Sequence, residues 1–153
     1  MLTIRHIYIS PGHNFVGHHG GPPGTHESIE VSEVQCVQGR GLEGDRYFSR
    51  KEGHKGQVTF FSEEVFEDLC TALELTDRDP SKVRRNVVVS GCDLPSLVGV
   101  EFEVQGIRFE GVEECKPCYW MDLALASGAE DLMEGRGGLR CRILSSGVLR
   151  RDD

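Results

Sequence analysis

Residues 98–118 read VGVEFEVQGIRFEGVEECKPC, and this stretch decides the fold class. Val100, Phe102 and Val104 alternate with polar residues, Gln105-Gly106 offers a turn, and Ile107 and Phe109 resume the alternation. Apolar spacing of two on either side of a two-residue turn predicts a β-hairpin. The hairpin runs straight into Cys115-Lys116-Pro117-Cys118, so the same stretch poses the functional question of what the two thiols serve.

Working outward, most of the chain continues the β pattern. LTIRHIYIS (2–10), IEVSEVQCV (29–37), GQVTFF (56–61), RRNVVVSG (84–91) and RGGLRCRIL (136–144) are rich in β-branched residues and read as strands. SEEVFEDLCTALEL (62–75) reads as a helix. Ser62 is a plausible N-cap, Glu63 and Glu64 favour the first turn, and Val65, Phe66, Leu69, Cys70 and Leu73 share one face. YWMDLALASGAEDLMEG (119–135) is helical in composition, with a break near Gly128. Between the first strands, PGHNFVGHHGGPPGTHES (11–28) holds five glycines, three prolines and four histidines, a composition that predicts a loop. The sum is about seven strands with two or three helices and no regular crossover helices. This predicts a mainly β fold, a mostly antiparallel β-barrel with inserted helices.

The totals set limits. A chain of 153 residues, 38% of them hydrophobic, reads as a single domain spanning 1–153. No apolar run approaches the ~20 residues of a membrane span, and the start MLTIRHIYIS lacks the basic and apolar regions of a signal peptide. A cytoplasmic location follows as the expectation. A net charge of −8 argues against nucleic acid as a partner. The six cysteines sit at 36, 70, 92, 115, 118 and 141, and in this context they read as free thiols rather than a disulfide framework.

Cys115 and Cys118 admit four readings. A structural zinc site would need a second close pair of ligands, which Cys141 or the histidine loop would have to supply. A redox dithiol suits the position before a helix-like segment, but the strand–helix–strand units of a thioredoxin-like fold are missing. Two packed thiols are a third option, although Lys116 and Pro117 favour an exposed turn. The fourth is a thiolate ligand to a soft metal, or a sulfur carrier. Arginines beside glycines at loop–strand junctions bear on that option. Arg84, Arg85 and Asn86 precede one strand, Arg136, Gly137 and Gly138 precede another, and Asp45 and Arg46 close a glycine turn. Arginine forks pair with phosphate and glycines admit close backbone N–H groups, so the set suggests an anion pocket. Taken singly, each arginine also reads as an ordinary surface charge.

GLEGDRYF, GQVTFF, RRNVVVSG, VGVEFEVQGIRFEGVEECKPC and GRGGLRCRIL occur in the order seen in the molybdenum cofactor sulfurase C-terminal (MOSC) domain family. The chain resembles a stand-alone member of that family from about Ile29 to Leu149. The resemblance implies a β-barrel with a few helices. It implies a molybdenum–pterin cofactor with Cys118 as the thiolate ligand to the metal; Cys118 and Cys115 are the catalytic candidates, with Cys115 as the resolving thiol where Cys118 carries a persulfide. It further implies that Arg46, Arg84, Arg85 and Asn86 lie near the cofactor phosphate. Arg136, Gly137 and Gly138 join them as cofactor-binding candidates. His18 and His19 in the histidine loop are candidates for facing the site, and His54 and Lys55 rank below them.

The family's pyridoxal-phosphate desulfurase portion has no room here, so no pyridoxal phosphate is expected. The added N-terminal β-domain of the amidoxime-reducing members is not expected either. The leading expectation is therefore a molybdenum–pterin binding domain. If it is an enzyme, it would be a molybdenum-dependent oxidoreductase that reduces N-hydroxylated compounds. Electrons would come from a separate reductase, since neither a dinucleotide fingerprint nor an iron–sulfur cysteine set is found. The alternatives are a persulfide or cofactor carrier served by a sulfur donor protein, and a dithiol oxidoreductase using Cys115 and Cys118.

Overall fold

The computed structural model describes residues 2–10, 28–45, 48, 53, 55–117 and 119–152. In chain order the elements are β1 (Thr3–Ile9), β2 (Ile29–Glu30), β3 (Glu33–Val37), β4 (Gly41–Leu42), β5 (Val58–Ser62), α1 (Glu63–Ala72), β6 (Val87–Ser90), β7 (Glu101–Val104), β8 (Ile107–Glu114), α2 (Trp120–Ala124), α3 (Ala129–Met133), β9 (Leu139–Ile143) and β10 (Gly147–Arg150). Short 3-10 turns at Pro80–Val83 and Leu94–Leu97 flank β6.

The hairpin forms where the alternation places it. Phe102 pairs with Phe109 and Val104 with Ile107. Gln105 and Gly106 take φ of 54° and 81°, the positive values a tight two-residue hairpin turn requires. Helix α1 starts at its expected cap, where the Ser62 hydroxyl accepts the Val65 N–H at 3.2 Å. The helical stretch after it breaks at Gly128, which with φ 97° separates α2 from α3.

Seven strands form one sheet in the order β2-β1-β6-β5-β9-β8-β7, and β10-β3-β4 form a second. The expected barrel is therefore corrected. The large sheet is open, with β2 and β7 at opposite edges, and it is mixed, because β5 and β6 pair in parallel. The physical reason lies in two connections. The chain breaks after the two-residue β2, so β3 joins the second sheet instead of extending the first. The β5–α1–β6 segment is a helical crossover, the connection that parallel strands need. Strand β5 is accordingly buried on both faces, as a covered parallel strand is.

Two apolar layers result. Phe60, Val87, Phe109, Leu139 and Ile143 of the large sheet pack with Val34, Cys36, Leu42 and Leu149 of the small one. On the opposite side Phe61 packs with Phe66 and Leu69 of α1, Met121 of α2 and Met133 of α3. Among the described residues, no helix is long and apolar enough to cross a membrane.

Candidate functional site

The segment entering β6 organises the site. Arg84 ends the 3-10 turn with φ 59°, in the left-handed region that non-glycine residues seldom occupy. This backbone turn sends Arg84 and Arg85 to different neighbours. Arg84 donates from Nη1 to the Ser28 hydroxyl at 2.6 Å and from Nη2 to the Ser10 hydroxyl at 2.8 Å. Ser10 in turn donates its backbone N–H to the buried carboxylate of Asp45 at 2.9 Å.

Arg85 is 7% exposed. Its guanidinium donates to the carbonyls of Gly137 (2.8 Å), Val83 (2.9 Å) and Cys115 (3.2 Å). It thereby ties the start of β6 to the end of β8 and to the loop before β9. Among the described residues it forms no ion pair. A buried charge met by carbonyl dipoles alone keeps a positive potential around it.

The glycines before β9 let this convergence happen. A Cβ on Gly137 would sit 2.3 Å from the Cys115 carbonyl oxygen, and one on Gly138 would sit 2.5 Å from the Phe60 carbonyl oxygen. The loop is thus pressed against both the Cys115–Pro117 segment and β5. Cys115 anchors it further, donating its backbone N–H to the Gly138 carbonyl at 2.8 Å.

Asn86 is engaged within the sheet. Its Oδ1 accepts from the Thr59 N–H at 3.0 Å and the Thr59 hydroxyl at 3.1 Å, and its Nδ2 donates to the Tyr8 carbonyl at 3.2 Å. It joins β1, β5 and β6 where they meet. Arg136 reaches away from Arg85. Its Nε donates to the Leu132 carbonyl at 2.8 Å, and Nη1 pairs with Asp68 at 3.2 Å. Lys55 pairs with Glu113 at 2.7 Å. Arg85, Gly137, Gly138 and Cys115 are therefore brought together, while Arg84 faces Ser10 and Ser28 and Arg136 faces α1. Cys118, Arg46, His18, His19 and His54 lie outside the described residues.

Two cavities open beside this convergence. One, of about 240 Å³, is walled by Val65, Leu94, Pro95 and Val98 and reaches Glu114 and Gly138. The other, of about 440 Å³, is walled by Lys116 and Pro117 with Glu114, Glu130, Asp131 and Glu134. Ser10, Ser28 and Glu114 were not singled out in the sequence. Serines and glutamates are common surface residues, and the partners of these three lie 74, 56 and 23 positions away.

The expected molybdenum–pterin centre is corrected by the donor set. Among the described residues no group of three or more His, Cys, Asp or Glu side chains could hold a metal ion. The expected thiol chemistry is corrected as well, for the carrier and for the dithiol enzyme. Cys115 is 5% exposed, and the described residues bring no second cysteine beside it. Cys36, Cys70, Cys92 and Cys141 are likewise free, and burial raises the thiol pKa of all four, which holds them in the protonated, unreactive form. No molybdenum-dependent reduction follows from this donor set.

Among curated proteins, none matches the chain. Solved structures do. The YUAD protein from Bacillus subtilis superposes with a TM-score of 0.73 at 20% identity, covering 98% of this chain and 92% of that one. YiiM from Geobacillus stearothermophilus gives 0.70 at 12% identity, covering 98% and 71%. YiiM from Escherichia coli gives 0.62 at 18% identity, covering 81% and 61%. At these identities the likeness is one of fold. The family model described as MOSC domain matches residues 17–153, which include both sheets from β2 onward, the arginine segment and the cysteine-bearing turn. The chain belongs to the MOSC domain family.

Proposed function

We propose that this MOSC domain binds a small anion, a phosphate or a phosphate monoester, at the entrance to β6. Arg84 and Arg85 supply the charge, and the Gly137–Gly138 loop forms the adjacent wall. The observation that carries this reading is the Arg85 guanidinium, buried and met by three carbonyl oxygens with no carboxylate partner among the described residues. An anion beside it supplies the countercharge that carbonyl dipoles offset only in part. The positive φ of Arg84 supports the reading, since backbone strain of ~1–3 kcal/mol persists where surrounding structure holds it, commonly at binding sites. Free cysteines at five described positions support a reducing compartment, the cytoplasm, as the place of action.

The test is a calorimetric titration with inorganic phosphate at fixed ionic strength, comparing the wild type with Arg84→Gln. That variant leaves the carbonyl contacts of Arg85 in place. Saturable binding by the wild type, weakened about tenfold or more in the variant, is expected for the loss of a charge-assisted contact. Equal titrations for the two proteins, or no saturable heat from the wild type, would refute the anion site.

A further inference from the structure

The two cavities share Glu114 and Gly135 as a common wall, and their chemistry differs on either side of it. The smaller is apolar. Leu94 forms a buried wall, Val65 projects from α1, and Pro95 and Val98 close it from the 3-10 turn before β7. Its volume of about 240 Å³ exceeds the ~150 Å³ of an apolar cavity that accepts benzene, so a ring with a short side chain fits. The larger cavity sets four carboxylates against the single ammonium of Lys116.

Glu114 stands at the junction. One carboxylate oxygen accepts the Gly137 N–H at 3.3 Å, and among the described residues the carboxylate forms no ion pair. Arg136, which also lines the apolar cavity, is engaged by Asp68 and the Leu132 carbonyl rather than by Glu114. We infer that the paired cavities form a site for a small organic cation. Its apolar body occupies the Val65–Leu94–Pro95–Val98 compartment, and its ammonium group is held by Glu114 at the mouth of the acidic compartment. Apolar walls with one well-placed charged group at their edge are the usual composition of a small-molecule site. The inference goes beyond the anion site and does not depend on it, because neither Arg84 nor Arg85 lines either cavity.

The experiment is a titration followed by amide NMR with three probes of similar body: 2-phenylethylamine, 2-phenylethanol and 3-phenylpropanoate. Wild type is expected to show saturable shifts around Val65, Val98 and Gly135. The amine should bind about fivefold or more tightly than the alcohol, the margin of a hydrogen bond to a charged group over a neutral one, and the carboxylate should not saturate. Glu114→Gln keeps an acceptor for the Gly137 N–H and is expected to bring the amine down to the alcohol. Val98→Trp, at a position 44% exposed, should close the apolar compartment and weaken both. Equal affinity of wild type for amine and alcohol, no saturation by any probe, or unchanged binding by a folded Val98→Trp would overturn the inference. Inorganic phosphate binding in the same samples reports separately on the anion site.

Discussion

Replacing Asn86 by alanine should loosen the junction of three strands. The side chain accepts two hydrogen bonds from Thr59 and donates one to the Tyr8 carbonyl, all in a buried setting. The Thr59 hydroxyl can rotate toward another acceptor, but the Thr59 N–H and the Tyr8 carbonyl cannot follow. Leaving a buried donor or acceptor unpaired costs ~1–3 kcal/mol each, so a loss of about 3 kcal/mol is expected. That is a large part of the ~5–15 kcal/mol stability of a typical domain. For a chain of this size it corresponds to a drop in Tm of roughly 6–12 °C. Urea unfolding followed by circular dichroism would measure it, with an unchanged slope showing that the native and unfolded states keep their compactness. Thr59→Val should cost less alone, and the double variant should fall short of the sum, because the two side chains share their bonds. A loss below about 1 kcal/mol for Asn86→Ala, with a normal slope, would refute the reasoning, since it would mean the junction needs none of these bonds.

Two further outcomes are expected. Gly138→Ala places a Cβ 2.5 Å from the Phe60 carbonyl oxygen at a φ of 117°, so overpacking and backbone strain together should cost ~2–4 kcal/mol. A melting temperature within about 2 °C of wild type would show that the loop can lift off β5 freely. Burial pushes the Cys36 thiol up to about 12 from an ordinary value of 9.0. The folded state therefore holds that proton more tightly than the unfolded chain. The corresponding stability is complete below pH 9.0 and is lost as the pH rises toward about 12, by at most ~1.4 kcal/mol per pH unit. Urea midpoints between pH 8 and 11 should fall less steeply for Cys36→Ala than for wild type, and identical slopes would count against it.

The parts of this fold that depend on neighbours in sequence were legible, and those that depend on distant strands were not. The 98–114 hairpin follows from alternation and a Gln-Gly turn, and α1 follows from Ser62 and its apolar face, because both signals lie within one element. Closure into a barrel was expected and does not occur. Whether the edge strands Ile29–Glu30 and Glu101–Val104 meet depends on the register and twist of every pairing between them, and local patterning does not encode that. The candidate site shows the same division. Arginines beside glycines marked where loops converge, and Arg85, Gly137, Gly138 and Cys115 do meet. Their partners are backbone carbonyls, which every residue carries, so no side-chain motif announces them. Asn86 illustrates the limit most plainly, because an amide that latches a sheet and an amide that faces a ligand look alike in a sequence.

The pairing of β3 with β10 has a consequence for how the chain acquires its structure during synthesis. Gly147–Arg150 must lie beside Glu33–Cys36 before the small sheet exists, and Asp152 bonds to the first strand through its carboxylate and its backbone N–H. A nascent chain emerging from the ribosome can form the 98–114 hairpin and α1 as soon as they appear. It cannot complete the small sheet over the Phe60–Phe109 face until residues 147–150 have emerged as well. Until then β3 offers an unpaired edge, the kind of surface through which partly folded chains misassociate.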